Sequence, residues 1–179
     1  MMNNSIYLNI EEIFGECKDA DQIGSIDVHS FQWKMSQPAE TGQGGGCGGG
    51  RGKAHPLVVY VRMDRAMPTV VQKLLEGTHL KNVKLTMCRA GGEQQPFTIV
   101  TLEEAFLESV EFIDLDPIFP YLKQNLKPDS NITTPSPFMG MKYSFSPIKF
   151  KVVYNEQNND GNNGASVEAS WNVQTNRSE

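Results

Sequence analysis

Apolar residues alternate with polar ones at a period of two through most of this chain, and at helical spacing in one stretch. Ser5 to Ile10 sets Ile6, Leu8 and Ile10 on one face, as a short strand requires. Glu11 to Gln22 is polar, with Gly15 and three acids from Glu16 on, and reads as a loop. Ser25 to Gln37 is a longer strand whose apolar parity switches. Ile26 and Val28 share one side; Phe31, Trp33 and Met35 share the other. A switch of parity needs one extra residue, so a β-bulge is expected near His29 and Ser30. Bulges bend strands, which suits a closed or strongly coiled sheet. Leu57 to Met63 is a β-branched strand. Asp64 is placed to cap a helix with Pro68 in its first turn, where the missing N–H has no intrahelical partner. Val70, Val71, Leu74 and Leu75 continue that helix, and Gly77 stops it.

Period two then returns. Asn82 to Arg89 alternates with Val83, Leu85 and Met87 inward and Lys84, Thr86 and Cys88 outward. Ala90 to Gln94 is a turn, and Gln95 to Val100 is the second arm of a hairpin. Thr101 to Phe112 supports two readings. Thr101 and Glu104 have capping-box spacing, with Leu102, Ala105, Phe106 and Val110 lining a helix. The same stretch also allows a strand with Leu102, Phe106, Val110 and Phe112 on one face. Five prolines between Asp114 and Pro137 (Pro117, Pro120, Pro128, Pro135 and Pro137) exclude a regular central strand there. Tyr121 to Leu126 allows one helical turn. Met141 to Tyr154 is a strand region with Pro147 at an edge or bulge. Asn155 to Gly164 is a turn, and Ala165 to Val173 is the closing strand, with Val167, Ala169, Trp171 and Val173 on one side. The pattern gives about eight strands and one helix, a mainly β, barrel-like fold with the helix packed outside.

One stretch breaks the alternation altogether. Gln37 to Lys53 holds eight of the chain's 16 glycines and almost no apolar side chain. Glycine loses the most backbone freedom on ordering, and a segment without apolar groups has no core of its own to offset that cost. A loop of this length between two good strands is usually functional or disordered. It reads as an arm that touches neighbouring subunits, with Gln43, Gly44, Gly45, Gly46, Cys47, Gly48, Arg51 and Lys53 as its candidate interface residues.

Composition narrows the function. The 179 residues suit a single domain, 1–179, with the arm at 37–53 and a Pro-rich insertion at 114–138. Net charge is −5 and the isoelectric point about 5.3, which argues against neutralising nucleic-acid phosphates. Mean hydropathy is −0.40 and no stretch reaches the ~20 apolar residues that span a bilayer. The first residues carry no Lys or Arg and no apolar core of a secretory signal, so synthesis and folding in a cytoplasm are expected. Cys17, Cys47 and Cys88 are odd in number and lack Cys-x-x-Cys spacing, as free thiols in a reducing compartment would.

Candidate chemistry is thin. Gly44, Gly46 and Gly49 formally fit a dinucleotide fingerprint, but no helix opens behind them to present N–H groups to phosphate. A P-loop ending at Gly52-Lys53 fails because Cys47 replaces its first glycine and Ala54 its hydroxyl residue. His29, His55 and His79 lack metal-ligand spacing and read as a bulge residue, a loop residue before Pro56 and a residue after the helix. Glu103, Glu104, Glu108 and Glu111 read as a solvated acidic face, and Phe31, Trp33 and Trp171 as core. No catalytic, cofactor or metal residues are assigned, and no enzyme is expected.

Several stretches together resemble the haemolysin-coregulated protein family of the bacterial type VI secretion system. They are Ile6-Tyr-Leu, Gly15-Glu-Cys-Lys-Asp, Ile26 through Gln37, the Gly-rich arm ending Gly52-Lys53, Val61 through Pro68, Leu74 through His79, Leu85 through Gly92, and Trp171-Asn-Val. The resemblance implies a two-sheet β-barrel with one flanking helix, forming homohexameric rings. It implies that rings stack into a hollow tube, meet sheath, spike and baseplate proteins, and leave the cell without a signal peptide. It favours the strand reading of Thr101 to Phe112 and an arm that reaches toward neighbouring rings. A ring could also carry small effector proteins in its lumen. No nucleic acid and no membrane insertion are implied. The segment 114–138 is longer than the family's usual connection and departs from its pattern.

Overall fold

A computed structural model describes residues 5–38, 51–89, 95–115, 139–157 and 163–178. Ten strands and one helix occur among them: β1 Ser5–Ile10, β2 Ile26–Gln32, β3 Met35–Ser36, β4 Lys53–Ala54, β5 Leu57–Arg62, α1 Met67–Glu76, β6 Leu80–Cys88, β7 Pro96–Asp114, β8 Met139–Ser146, β9 Lys149–Gln157 and β10 Asn163–Asn172. All pairings are antiparallel. Eight strands follow the order β10-β9-β7-β6-β1-β2-β5-β8, and β8 returns to pair with β7. That last pairing closes six strands, β7-β6-β1-β2-β5-β8, into a barrel. β7 makes closure work because it is long enough to serve two neighbours in succession. Its first half pairs with β6 and β9, and Phe106 to Asp114 pair with β8.

The barrel interior is apolar. Leu8, Ile26, Leu57, Val59, Val61, Leu85, Leu102, Met141, Tyr143 and Phe145 are fully buried. Each such side chain removed from water contributes about 1.5–3 kcal/mol before entropy is charged against it. Val70 is the buried anchor of α1, whose end is fixed by Gly77 in the left-handed conformation, φ 64°. The Gly77 and Thr78 N–H groups donate to Leu74 and Lys73 carbonyls.

Several sequence expectations hold in detail. The pairing of β2 with β5 shifts register between Val28 and Ser30, which puts the bulge at His29. The ambiguous stretch is strand, part of β7. Pro147 sits in the two-residue turn between β8 and β9. Others need correction. The helix begins at Met67 with Ala66 as its N-terminal flank and no side-chain cap. Asp64 instead accepts the Ala66 N–H at 3.0 Å, one turn earlier. The expected face of β7 is wrong from Glu104 on. Glu104 has φ 48°, so Glu103 and Glu104 both face solvent, Ala105 and Leu107 turn inward, and Phe106 and Phe112 are exposed. A second register shift follows between Leu107 and Ser109. Thr86 and Cys88 are outward of the barrel but buried, and the β1–β2 connection places Cys17 against Cys88. Tyr7, Cys17 and Cys88 form a small second core there. The turn at 90–94, the helical turn expected in 121–126 and the insertion 116–138 lie outside the described residues.

Candidate assembly interface

The arm leaves the barrel through a two-stranded ribbon. Beyond Gln32 the chain runs into β3, which pairs with β4 through Met35↔Ala54 and Ser36↔Lys53. Polar contacts hold the ribbon to the barrel rim. The Trp33 indole N–H donates to the His55 carbonyl at 2.9 Å, and the His55 N–H donates to the Lys34 carbonyl at 2.9 Å. His55 Nε2 and Ser36 Oγ lie 2.8 Å apart. A serine–histidine contact invites a catalytic reading, which needs a third group to orient the imidazole. Among the described residues no carboxylate contacts His55, so the pair acts as a staple across the ribbon.

Arg51 and Lys53 are the two expected interface residues that the structure describes. Arg51 donates to the Val173 and Gln174 carbonyls, 3.2 Å each, and so ties the returning end of the arm to the segment after β10. Lys53 is exposed in β4. Gln43, Gly44, Gly45, Gly46, Cys47 and Gly48 lie outside the described residues.

Beside the ribbon lies a groove of about 440 Å³ lined by Met35, Ala54, Phe150, Ala169 and Trp171, with Lys53 at its margin. Phe150 stacks edge-on against Trp33 with ring centroids 5.0 Å apart and is the cross-strand partner of Trp171. Trp171 was expected in the core. It is half-buried on β10, outside the closed barrel, and helps wall this groove instead. Sequence could not find the groove, because its walls come from strands far apart in the chain. The one local signal is Met35, an apolar residue that continues the alternation past the end of the core and is 51% exposed.

β10 is the other unfinished surface. It pairs with β9 on one side, and among the described strands none pairs with its other side. Val167 in its centre is 63% exposed. A free sheet edge is a row of unpaired N–H and C=O groups that templates pairing with another chain.

Titratable groups offer little chemistry. Burial pushes the Cys17 and Cys88 thiols up from their ordinary value, which disfavours the nucleophilic thiolate. Burial also raises the Tyr143 phenol, whose hydroxyl finds no hydrogen-bond partner among the described residues. Desolvation raises the Asp64 carboxyl, against the hydrogen bonds it accepts from the Ala66 and Glu16 N–H groups. His29 and His79 stand where expected, on the β2 bulge and after α1, with His79 stacked on Phe106 at 3.9 Å. Glu103, Glu104, Glu108 and Glu111 are exposed, and Glu111 pairs with Lys142 at 2.7 Å. Among the described residues no group of three or more His, Cys, Asp or Glu could hold a metal ion. No helix among them is long and apolar enough to cross a membrane.

Comparison with known proteins agrees with this architecture. Residues 7–152 match the family model described as type VI secretion system effector, Hcp. The protein hcp1 of Pseudomonas aeruginosa is 28% identical over 106 residues, covering 59% of this chain and 65% of that relative. In three dimensions the chain is similar to a solved type six secretion system protein, with TM-score 0.81 at 17% identity, covering 99% of this chain and all of the other. Hcp1 from Salmonella typhimurium superimposes with TM-score 0.72 at 20% identity over the whole of both chains. At such identities the structural likeness speaks for the fold.

Proposed function

Since the chain belongs to the Hcp family of type VI secretion proteins, we propose that it is a structural subunit of the secretion tube, assembling into six-membered rings that stack and are exported. The observation that carries this reading is the outer side of β10, with which none of the described strands pairs, beside an otherwise closed barrel. Six strands have satisfied their backbone groups by closure, so the fold has no use of its own for an open edge with an exposed Val167 beside it. A second copy supplies what the edge lacks. The same surface cannot pair with itself around a ring, so the contact is head-to-tail, and it closes when the rotation divides the circle.

Stacking is the weaker contact. Six copies at −5 carry a formal −30 per ring, and ordering a Gly-rich arm adds an entropic cost to each contact. Size-exclusion chromatography with light scattering, read beside negative-stain micrographs, tests the proposal. The expected result is an annular particle of six subunits. A strict monomer at high concentration would sink it.

A further inference from the structure

The β1–β2 connection and the arm root stand at opposite ends of β2, separated by about 20 Å of strand at 3.3 Å per residue. They are opposite in charge as well. Glu11 to Gln22 carries five carboxylates (Glu11, Glu12, Glu16, Asp19 and Asp21) against Lys18, a formal −4. Arg65 offsets part of it where it pins the connection, donating to the Gly15 carbonyl at 2.8 Å and the Phe14 carbonyl at 3.3 Å, and Lys73 and Lys81 line a cleft with Glu11 and Glu12. The arm root carries Lys34, Arg51 and Lys53, and the stretches 32–37 and 51–57 contain no acid. Among the described residues neither Lys34 nor Lys53 is paired with a carboxylate.

The apolar features are complementary too. At the acidic end Phe14 is 66% and Ile23 74% exposed. They form one knob. The Gly15 N–H donates to the Gly24 carbonyl at 2.7 Å, and the Phe14 ring lies 3.5 Å from where a side chain on Gly24 would begin. Gly24 has φ 79°, a turn that glycine adopts without strain and that carries the chain back beside Phe14 directly after Ile23. At the basic end lies a groove walled by Met35, Ala54, Phe150 and Trp171. Knob and groove of one subunit are held apart by the strand between them, so the groove can only meet the knob of another copy.

We propose that the Phe14–Ile23 knob of one copy seats in the Met35–Phe150–Trp171 groove of a second copy in the next ring, with the acids of the β1–β2 connection facing Lys34, Arg51 and Lys53. The inference rests on the ring reading above and adds the stacking contact. Such a head-to-tail contact repeats without closing, which is the symmetry of a tube. It also gives the stack a polarity, since two acidic faces or two basic faces repel.

Charge reversal with rescue tests it on the full-length chain. Rings of the unmodified protein are first counted by light scattering, and stacking is then followed against concentration by sedimentation and micrographs. Lys53→Glu should leave rings intact and raise the concentration for half-stacking by about tenfold, because a weak surface contact repeats six times per ring face. Glu12→Lys with Glu16→Lys should do the same, and the triple variant should recover most of the loss. Phe14→Ser with Ile23→Ser should abolish stacking while rings persist. The inference is overturned if unmodified rings never stack, if stacking ignores Lys53→Glu and the knob variant, if the triple variant shows no recovery, or if these variants break the rings themselves. Absence of rings in the unmodified chain would instead overturn the ring reading.

Discussion

The closed barrel and the sheet extension beside it are built from the same kind of strand, yet they end in opposite conditions. In the barrel every strand has two neighbours, and Tyr143, Phe145, Leu85 and Leu102 are fully buried. In the extension β9 leans on β7, but β10 has one neighbour among the described strands, and Val167 and Ala169 face solvent. The difference teaches how the labour is divided. Stability resides in the closed half, and on the proposed reading association falls to the extension, so each half should respond to substitution in its own way.

The largest effect is expected from hollowing the barrel. Phe145→Ala should cost about 3–5 kcal/mol and Leu85→Ala about 2–5, a large share of a typical 5–15 kcal/mol total. Thermal unfolding followed by circular dichroism should show the loss for both. Next comes crowding at a tight backbone crossing. A Cβ on Gly15 would stand 2.3 Å from the Ser25 carbonyl oxygen, whereas one on Gly140 would meet the Leu115 side chain at 2.3 Å. Backbone yields less than a leucine, so Gly15→Ala should lose about 1–3 kcal/mol and Gly140→Ala less. Equal losses in urea titrations would contradict that.

The open half should show the reverse behaviour. Val167→Lys with Ala169→Lys should leave stability within about 0.5 kcal/mol, since both positions are exposed. It should shift the light-scattering mass from ring to monomer, because lysine guards an edge strand against pairing. If the mass stays that of a ring, β10 is not the ring contact. Deleting Gly44 to Gly50 should leave the melting temperature and the ring unchanged while reducing stacking; loss of folding on that deletion would mean the arm belongs to the barrel.

The smallest effect concerns pH. Desolvation holds the Asp64 carboxyl above its ordinary value. The folded state therefore binds the proton more tightly than the unfolded state. Ionised Asp64 opposes folding at neutral pH, and that penalty fades as pH falls through the raised value toward the ordinary one. The melting temperature of the unmodified protein relative to Asp64→Asn should rise on acidification through that window. A difference independent of pH would show that the carboxylate is not desolvated.

Legibility from sequence tracks how local each cause is. The bulge at His29 was readable because a switch in parity is written in consecutive residues, Val28 to Phe31. The end of α1 was readable because Gly77 alone supplies the left-handed turn. The kink at Glu104 was not, since glutamate gives no hint of a positive φ; the position is imposed by a strand that must leave β6 and β9 and reach β8. The buried state of Cys88 was hidden for a similar reason, as its cover includes Cys17, about 70 residues earlier. Of the expected interface only Arg51 and Lys53 can be placed, and both fall at the root of the arm.

The amino-acid sequence by itself determined the period of each element, the Gly-rich interruption and the sign of charge along each segment, because these depend on neighbours within a few residues. Only the tertiary structure decided that β7 closes a barrel, that β10 pairs on one side alone among the described strands, and that an acidic connection and an apolar groove with basic neighbours stand at opposite ends of one strand. Those facts come from pairings between distant segments, and the free energy that selects them belongs to the whole sheet rather than to any window of residues.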